Sequence, residues 1–218
     1  MKTIVIATRN RHKVQEIRAL LDGVTLLDLN DFPAAPPVVE DAPTFAGNAI
    51  KKAVELARWL HSQRHLNAGH CVLADDSGLE VDALHGAPGV YSARFAALDA
   101  PAGATSNGNS PDTANNAKLL RLLQDVPLAN RTARFRCVLA LATVGGNQAP
   151  WLFDGACGGH IDFAPRGKSG FGYDPLFIPN GHVESFAELG ESVKNRMSHR
   201  ARAMIKLQLW LNSGSDKL

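Results

Sequence analysis

The chain has 218 residues and a formal net charge of +2, with 23 Lys and Arg against 21 Asp and Glu. This length suits one large α/β domain with a substantial core, and we assign residues 1–218 to a single domain. The charge is too balanced for a broad basic face that binds nucleic acid, so we expect no nucleic-acid partner. The apolar run at residues 1–6 is too short for a signal peptide or a membrane span. We therefore expect no membrane association and a cytoplasmic location.

The front of the chain is predicted to form a strand, a polar loop, a helix and a second strand. The strand covers residues 4–7, the loop residues 8–13, and the second strand residues 24–29. Apolar residues at helical spacing mark the helix: Val14, Ile17, Leu20 and Leu21. Residues 33–43 are rich in proline and are therefore predicted to be a loop.

A stronger helical pattern follows, with Thr44 as the expected N-cap. Its predicted apolar face consists of Ile50, Ala53, Val54, Ala57 and Leu60. Asn48 and Lys52 are predicted to lie on the opposite face and to point into a cleft. The alternative is that Lys52 is an ordinary solvated lysine.

Two acidic pairs are candidate ligands for a hard cation. A predicted buried strand over residues 71–74 ends at Asp75 and Asp76, and such strand ends are where open α/β sheets place ligands. Glu40 and Asp41 lie in the Pro-rich loop. Carboxylate oxygens, together with phosphate oxygens and water, suit Mg²⁺. Taken alone, each pair is more often part of a turn or a helix cap than a metal site.

The rest of the chain is predicted to add strands over residues 134–144 and 151–157, with a mobile surface insertion at residues 99–115. A Gly-rich turn covers residues 170–175, and Ser185 with Glu188 forms a capping box. Ser198 is a candidate N-cap for the last helix. His199 and Arg200 would then oppose the helix dipole, which is unfavourable unless they serve an anion or another function.

Three known sequence motifs, for a P-loop, a dinucleotide site and a zinc site, are present only in part. The string Gly167-Lys168-Ser169 lacks the upstream glycine of a P-loop, and Gly170-x-Gly172 lacks the third glycine of a dinucleotide site. His61 and His65 have zinc-ligand spacing but no following Glu and no third ligand. Cysteines 71, 137 and 157 are odd in number and far apart, which indicates reduced thiols in the core.

Six strings in order make the chain resemble the Ham1-like pyrophosphatases of inosine and xanthosine triphosphate, from residue 3 to about residue 210. The strings are Ala7-Thr8-Arg9-Asn10 with Lys13; Phe45-x-x-Asn48-Ala49 with Lys52-Ala53; Ala74-Asp75-Asp76-Ser77-Gly78-Leu79; Gly86-Ala87-Pro88-Gly89-Val90-Tyr91-Ser92-Ala93-Arg94; Gly170-Phe171-Gly172-Tyr173-Asp174-Pro175; and Lys194 with Ser198-His199-Arg200. The chain departs from the family at Arg9, where a small residue or glycine is usual, and in the long connection over residues 99–115.

The resemblance implies an α/β fold in which helices flank a long central mixed β-sheet, with the nucleotide in a cleft between two lobes. It implies hydrolysis of ITP, dITP or XTP to the monophosphate and pyrophosphate, which keeps deaminated purines out of DNA and RNA. It also implies Mg²⁺ as cofactor, a purine nucleoside triphosphate as partner and a homodimer. Tyr91 and Phe95 are candidates for the dimer surface.

The resemblance also implies roles for individual residues. Glu40 and Asp76 would serve Mg²⁺, and Asp76 would accept the proton of the attacking water. Phe171 would stack on the base, and Arg200 would donate to the C6 keto oxygen that distinguishes hypoxanthine and xanthine from adenine. The full set of implied substrate-binding residues is Thr8, Arg9, Asn10, Arg11, His12, Lys13, Lys52, Ser77, Phe171, Gly172, Tyr173, Asp174, Lys194, His199 and Arg200.

Two other functions fit parts of the sequence. A nucleotide-binding regulator or a general phosphatase would share the phosphate site, but a phosphatase would yield IDP and phosphate from ITP. The basic cluster Arg9, Arg11, His12 and Lys13 fits a nucleic-acid-binding module. The balanced charge and the carboxylates argue against that module.

Overall fold

The computed structural model describes residues 3–99 and 108–213. Its strands are β1 (Thr3–Ile6), β2 (Thr25–Asp28), β3 (Cys71–Val81), β4 (Thr132–Thr143), β5 (Trp151–Ile161) and β6 (Phe177–Pro179). Its α-helices are α1 (Arg11–Leu20), α2 (Phe45–Ser62), α3 (Asp112–Leu122), α4 (Phe186–Met197) and α5 (His199–Asn212). A 3₁₀ helix covers Gly89–Arg94, and shorter ones cover Asp82–Leu84, Ala96–Asp99 and Leu128–Asn130.

The strands form one six-stranded sheet in the order β2-β1-β3-β4-β5-β6. Strand β1 is parallel to both β2 and β3, with Val5 opposite Leu27 on one side and Val72 on the other. Strand β6 is antiparallel to β5, with Ile178 opposite His160. The mixed sheet and its helices confirm the predicted α/β class.

The residues fall into two compact units. The first consists of Met1–Asp76, Cys137–Gly155 and Arg200–Leu218, and the second of Ser77–Arg136 and Ala156–His199. Each has its own apolar core. Ile4, Ile17, Leu73 and Leu139 belong to the core of the first unit, and Leu79, Phe135, Phe177 and Phe186 to that of the second. The single domain and the cleft between lobes stay predictions.

The predicted end of the third strand is wrong. Strand β3 continues through Asp75 and Asp76 to Val81, because Leu79 and Val81 supply further apolar residues to the core of the second unit. Both carboxylates are therefore held inside a strand, where adjacent side chains point to opposite faces. Strand β4 begins before its predicted start at residue 134 but ends at Thr143, and β5 continues beyond its predicted end at residue 157 to Ile161.

Two predictions about the helices of the first unit are also wrong. Residues 11–13 belong to the first turn of α1, because the Asn10 side chain accepts hydrogen bonds from the main-chain N–H groups of His12 and Lys13. Asn48 and Lys52 lie on the buried face of α2 and not opposite it. Their spacing of four residues continues to Leu56 and Leu60, which are buried on the same stripe.

The predicted insertion is partly helical. Its last residues, 112–115, begin α3, and Asn115 is buried; residues 100–107 lie outside the described residues. Phe95 is only 4% exposed and belongs to the core of the second unit, so it is not a surface residue. Tyr91 is exposed, as a dimer-surface candidate requires.

Several local predictions are confirmed. Ser185 and Glu188 form the capping box of α4, and α5 begins directly after Ser198, which places His199 and Arg200 in its first turn. The three cysteines are buried and free. Over the described ranges, none of the helices combines the length and the apolar character that crossing a membrane requires.

Candidate active site

Asp75 is the centre of a buried charge network in the first unit. Its carboxylate accepts hydrogen bonds from Lys13 on α1, from Nε of Arg200 on α5 at 3.0 Å, and from the Cys137 thiol on β4 at 3.1 Å. The same arginine donates through Nη1 to Glu16 on α1. Two helices and one strand are thus tied to one residue of β3.

The surrounding charges keep Asp75 ionised. Burial raises the pKa of this carboxyl, but the positive charges of Arg200 and Lys13 outweigh burial and hold it well below its usual range. Burial and the neighbouring carboxylate raise the pKa of the Cys137 thiol well above normal. Asp75 is therefore a fixed anion, unsuited to proton transfer, and Cys137 is a neutral thiol donor.

Asp76, the next residue, faces a different set of partners. Nζ of Lys52 donates to Oδ1 of Asp76 at 3.0 Å and to Oε2 of Glu40 at 3.0 Å. The same ammonium donates to the main-chain carbonyl of Asp75 at 2.7 Å. The Asn48 amide donates to Oδ2 of Asp76 at 3.3 Å. The helix α2 therefore brings one cation and one amide to a pair of carboxylates.

The two carboxylates of this pair are close enough to share a hydrogen bond, and they titrate differently. Burial and the charge of Glu40 outweigh the attraction of Lys52 and Lys13, and they raise the pKa of Asp76 to about 6. Burial opposes ionisation of Glu40 as well, but Lys52 and the hydrogen bond with Asp76 lower its pKa. Asp76 is thus the member of the pair poised to exchange a proton near neutral pH.

Thr8, Arg9 and Asn10 directly precede the N-terminus of α1. The Asn10 side chain caps the helix, and the Thr8 hydroxyl accepts from the Asn10 main-chain N–H at 3.1 Å. Arg9 is exposed and donates through Nη2 to the carbonyl of Ala35 at 2.8 Å, which ties this turn to the Pro-rich loop. No acidic side chain lies in the turn, and Arg11 and His12 are exposed, so the helix dipole and the basic residues favour an anion here.

In the second unit, the turn over residues 170–174 carries Phe171 on its surface. The Asp174 carboxylate accepts from the Phe171 main-chain N–H at 2.9 Å and from Nζ of Lys194 at 2.6 Å. The same ammonium lies 4.4 Å from the centre of the Phe171 ring. The neighbouring Tyr173 is buried and donates to the carbonyl of Ser92 at 2.9 Å. A half-exposed ring thus stands beside a buried ion pair.

The predicted site residues therefore divide between the units. Glu40, Lys52, Asp76, Lys13 and Arg200 belong to the first unit, and Phe171, Asp174 and Lys194 to the second. His199 stacks on Phe135 with ring centres 4.8 Å apart, in the core of the second unit. Ser77 is half-buried at the start of that unit.

Two residues of the charge network, Glu16 and Cys137, were not predicted from the sequence. Glu16 is buried in α1 between Val14 and Ile17, and an acidic residue next to the apolar stripe of a short helix is a signal that could have been used. Cys137 gave no such signal, because a buried thiol in an apolar strand looks like any other core residue.

Residues 4–210 match the model of the Ham1 family, and the chain belongs to that family. A Geobacter sulfurreducens protein named dITP/XTP pyrophosphatase is 48% identical over 210 residues, which cover 95% of this chain and 96% of that protein. A protein of the same name from Desulforamulus reducens is 47% identical over 211 residues, covering 96% and 95%. The predicted family is confirmed.

Solved structures agree with the fold. A HAM1 protein from Coxiella burnetii superposes with a TM-score of 0.81 at 36% identity, covering 98% of this chain and 100% of that chain. The Staphylococcus aureus Ham1 protein gives a TM-score of 0.78 at 35% identity, covering 97% and 99%.

Proposed function

We propose that this chain hydrolyses the α–β phosphoanhydride of deaminated purine nucleoside triphosphates, ITP, dITP and XTP, to give the monophosphate and pyrophosphate. The names of its relatives support the reaction and the substrate class. The observation in this chain that carries the proposal is the Glu40 and Asp76 pair. One of its two carboxyls has a pKa of about 6, and Lys52 lies between them.

The residues present fit a divalent cation, which we propose to be Mg²⁺. Glu40 and Asp76 would hold it, since a half-buried and a buried carboxylate at hydrogen-bonding distance repel each other when ionised and attract positive charge. Among the described residues, no group of three or more His, Cys, Asp or Glu side chains could hold a metal ion. A site with only two protein carboxylates, completed by phosphate oxygens and water, is typical of Mg²⁺. Such an ion stabilises the negative charge that develops on the phosphates.

The chain's own residues supply positioning and proton transfer. Lys52 holds both carboxylates through one ammonium, and Asp76 accepts at its carboxylate the proton of the water that attacks the α-phosphorus. Lys13 and the capped start of α1 carry the positive charge that binds the phosphates. Thr8, Arg9, Asn10, Arg11 and His12 belong to the same segment, and Ser77 follows Asp76 in β3.

We propose that Phe171 stacks on the purine and that Asp174 and Lys194 address its polar edge. Support comes from the half-exposed ring and from the Lys194 ammonium, which lies 4.4 Å from the centre of that ring and is paired with Asp174. Gly172, Tyr173 and His199 belong to the same unit. Direct contact of Arg200 with the base stays a prediction. Arg200 is only 1% exposed and its guanidinium donates to Asp75 and Glu16, so the contacts within the protein give no support to a contact with the base.

Hydrolysis in ¹⁸O-labelled water tests the reaction, because the position of the label in the products shows which phosphorus the water attacks. Attack at the α-phosphorus places the label in IMP and releases unlabelled pyrophosphate, whereas a phosphatase leaves IDP and labelled inorganic phosphate. The assay compares ITP, dITP, XTP, GTP and ATP at saturating Mg²⁺. Label in phosphate, or no preference for ITP over ATP, contradicts the proposal.

We also propose a homodimer and a cytoplasmic location. Exposed large apolar side chains on the second unit support the dimer, namely Tyr91, Leu98, Leu122 and Leu128. The three free buried cysteines fit a reducing compartment. Light scattering coupled to gel filtration measures the mass in solution, and a monomer at micromolar concentration contradicts the dimer.

A further inference from the structure

The N-terminal part of α3 binds the Gly-rich loop that carries Phe171. The Asp112 carboxylate accepts from the main-chain N–H of Gly172 at 2.6 Å. The Asn116 amide donates to the main-chain carbonyl of the same glycine at 3.1 Å. Asp112 and Asn116 are four residues apart and so lie on one face of α3. Both polar groups of one residue are therefore bound by one helix.

The backbone on either side of Phe171 needs this kind of support. Gly170 and Gly172 both have left-handed conformations, with φ of +76° and +62°. A side chain at Gly170 would meet the Asp174 carboxylate, whereas nothing lies within 4 Å of a Cβ added to Gly172. Asp174 binds both main-chain groups of Phe171, accepting from its N–H and donating to its carbonyl, and the two hydrogen bonds to α3 hold the N–H and the carbonyl of Gly172, the residue that follows.

The helix that makes these bonds is itself firmly attached. Asn115 accepts from the main-chain N–H of Ala96 at 2.8 Å and donates to the carbonyl of Ala93 at 3.3 Å. The buried ammonium of Lys118 donates to the carbonyl of Phe95 at 2.7 Å. Residues 115–118 of α3 are thus attached to residues 93–96, at and just after the end of the Gly89–Arg94 3₁₀ helix, and this attachment also holds the part of α3 that binds Gly172.

We propose that Asp112 and Asn116 are positioning residues of the purine site, which fix Phe171 for stacking through Gly172. The inference rests on the proposed function, because it gives the Phe171 ring a base to stack on. It extends the site to α3, whose first residues were predicted to belong to a surface insertion. Preorganising the ring favours binding of the purine and has no direct part in proton transfer or phosphate binding.

A purely structural role of Asp112 makes a different prediction. An acidic residue in the first turn of a helix also stabilises the helix through its charge. Asp112→Asn removes the charge but keeps an oxygen that can accept from Gly172, whereas Asp112→Ala removes both. A helix-charge role makes the two variants alike, and a positioning role separates them.

The test uses the full chain and two product inhibitors, IMP, which contains the base, and pyrophosphate, which does not. Asp112→Ala and Asn116→Ala are expected to raise KM for ITP and the inhibition constant of IMP by about threefold to tenfold, the usual net value of one hydrogen bond. The inhibition constant of pyrophosphate should not change, and kcat should stay within about twofold. Asp112→Asn should behave nearly as the parent, as should the control Thr113→Ala, an exposed neighbour on α3.

Every result of this test either supports or contradicts the positioning role of Asp112 and Asn116. Equal shifts for IMP and pyrophosphate, a fall in kcat alone, or no shift in either Ala variant overturns the positioning role. If one Ala variant does not fold, the other still gives the comparison of IMP with pyrophosphate. If the parent protein releases no pyrophosphate from ITP, the proposed function fails first, and that result is distinct from an active parent whose variants are unchanged.

Discussion

Arg200 and Asp75 form a buried pair in which the guanidinium donates to both carboxylate oxygens, from Nε to Oδ2 at 3.0 Å and from Nη2 to Oδ1 at 3.4 Å. Asp75 is 2% exposed and Arg200 1%. This pair joins α5 to β3, and Glu16 on α1 binds the same guanidinium. The arginine at the unfavourable end of α5 is therefore held by carboxylates of the protein itself.

Arg200→Ala is expected to lower the free energy of unfolding by about 3–5 kcal/mol, because it leaves Asp75 buried without its main counter-charge. Urea denaturation measures the loss. Arg202→Ala, an exposed arginine on the same helix, serves as control and should change stability by less than about 0.5 kcal/mol.

Arg200→Ala also tests whether Arg200 reads the base. If Arg200→Ala prefers ITP over ATP as strongly as the parent, Arg200 does not read the base.

Asp76→Asn is expected to lower kcat by at least about 10²-fold to 10⁴-fold, because it removes the proton acceptor and a carboxylate that would hold the cation. The volume and the contact with Asn48 are largely retained, so a loss of this size is not a folding effect. Initial rates of pyrophosphate release at saturating ITP and Mg²⁺ measure it. A variant that keeps most of its activity would remove Asp76 from the mechanism.

The same substitution should stabilise the metal-free protein above pH 6. Folding raises the pKa of Asp76 from its ordinary value of 3.8 to about 6, so the folded state favours the protonated form. This contribution to stability is complete below pH 3.8 and is lost as the pH rises through about 6. Asn cannot ionise, so in EDTA at pH 8 the variant should exceed the parent by up to about 3 kcal/mol.

Urea denaturation in EDTA at pH 5 and pH 8 checks this sign. The advantage of Asn over Asp should be smaller at pH 5, where more of the Asp76 population is protonated. Addition of Mg²⁺ should stabilise the parent more than the variant. An advantage that is the same at both pH values contradicts the raised pKa.

Lys52→Met is expected to lower activity by roughly 10²-fold to 10³-fold, the usual effect of removing one fixed electrostatic contact. The methylene chain stays buried, but Glu40 and Asp76 lose the ammonium between them. The Mg²⁺ concentration for half-maximal rate is then expected to change as well. Lys51→Met is the matched control, since that lysine pairs with the exposed Asp41 and should leave activity within about twofold.

Arg9→Gly is expected to have a small effect. The exposed guanidinium makes one hydrogen bond to the Ala35 carbonyl, and such a bond contributes about 1 kcal/mol or less. If Arg9 also binds phosphate, KM for ITP rises while the free energy of unfolding hardly changes. A loss of stability with unchanged KM assigns Arg9 only to the attachment of the Pro-rich loop.

The sequence by itself determined which kind of element forms at most positions and to which family the chain belongs. Apolar periodicity placed α1 and α2, and Ser185 with Glu188 marked the start of α4, because these signals act within one turn of a helix. Such local signals carried no information on α3, whose apolar residues are gathered on one face much less clearly than those of α2.

The tertiary structure alone decided what each acidic residue does. Asp75 and Asp76 are neighbours and point to opposite faces of β3, as any strand requires. One face meets Arg200 and Lys13, which ionise Asp75 permanently, and the other meets Glu40 and Lys52, which leave Asp76 with a pKa of about 6. Because those partners come from up to 125 positions away along the chain, only the packing of α1, α2 and α5 on the sheet gives two identical side chains different chemistry.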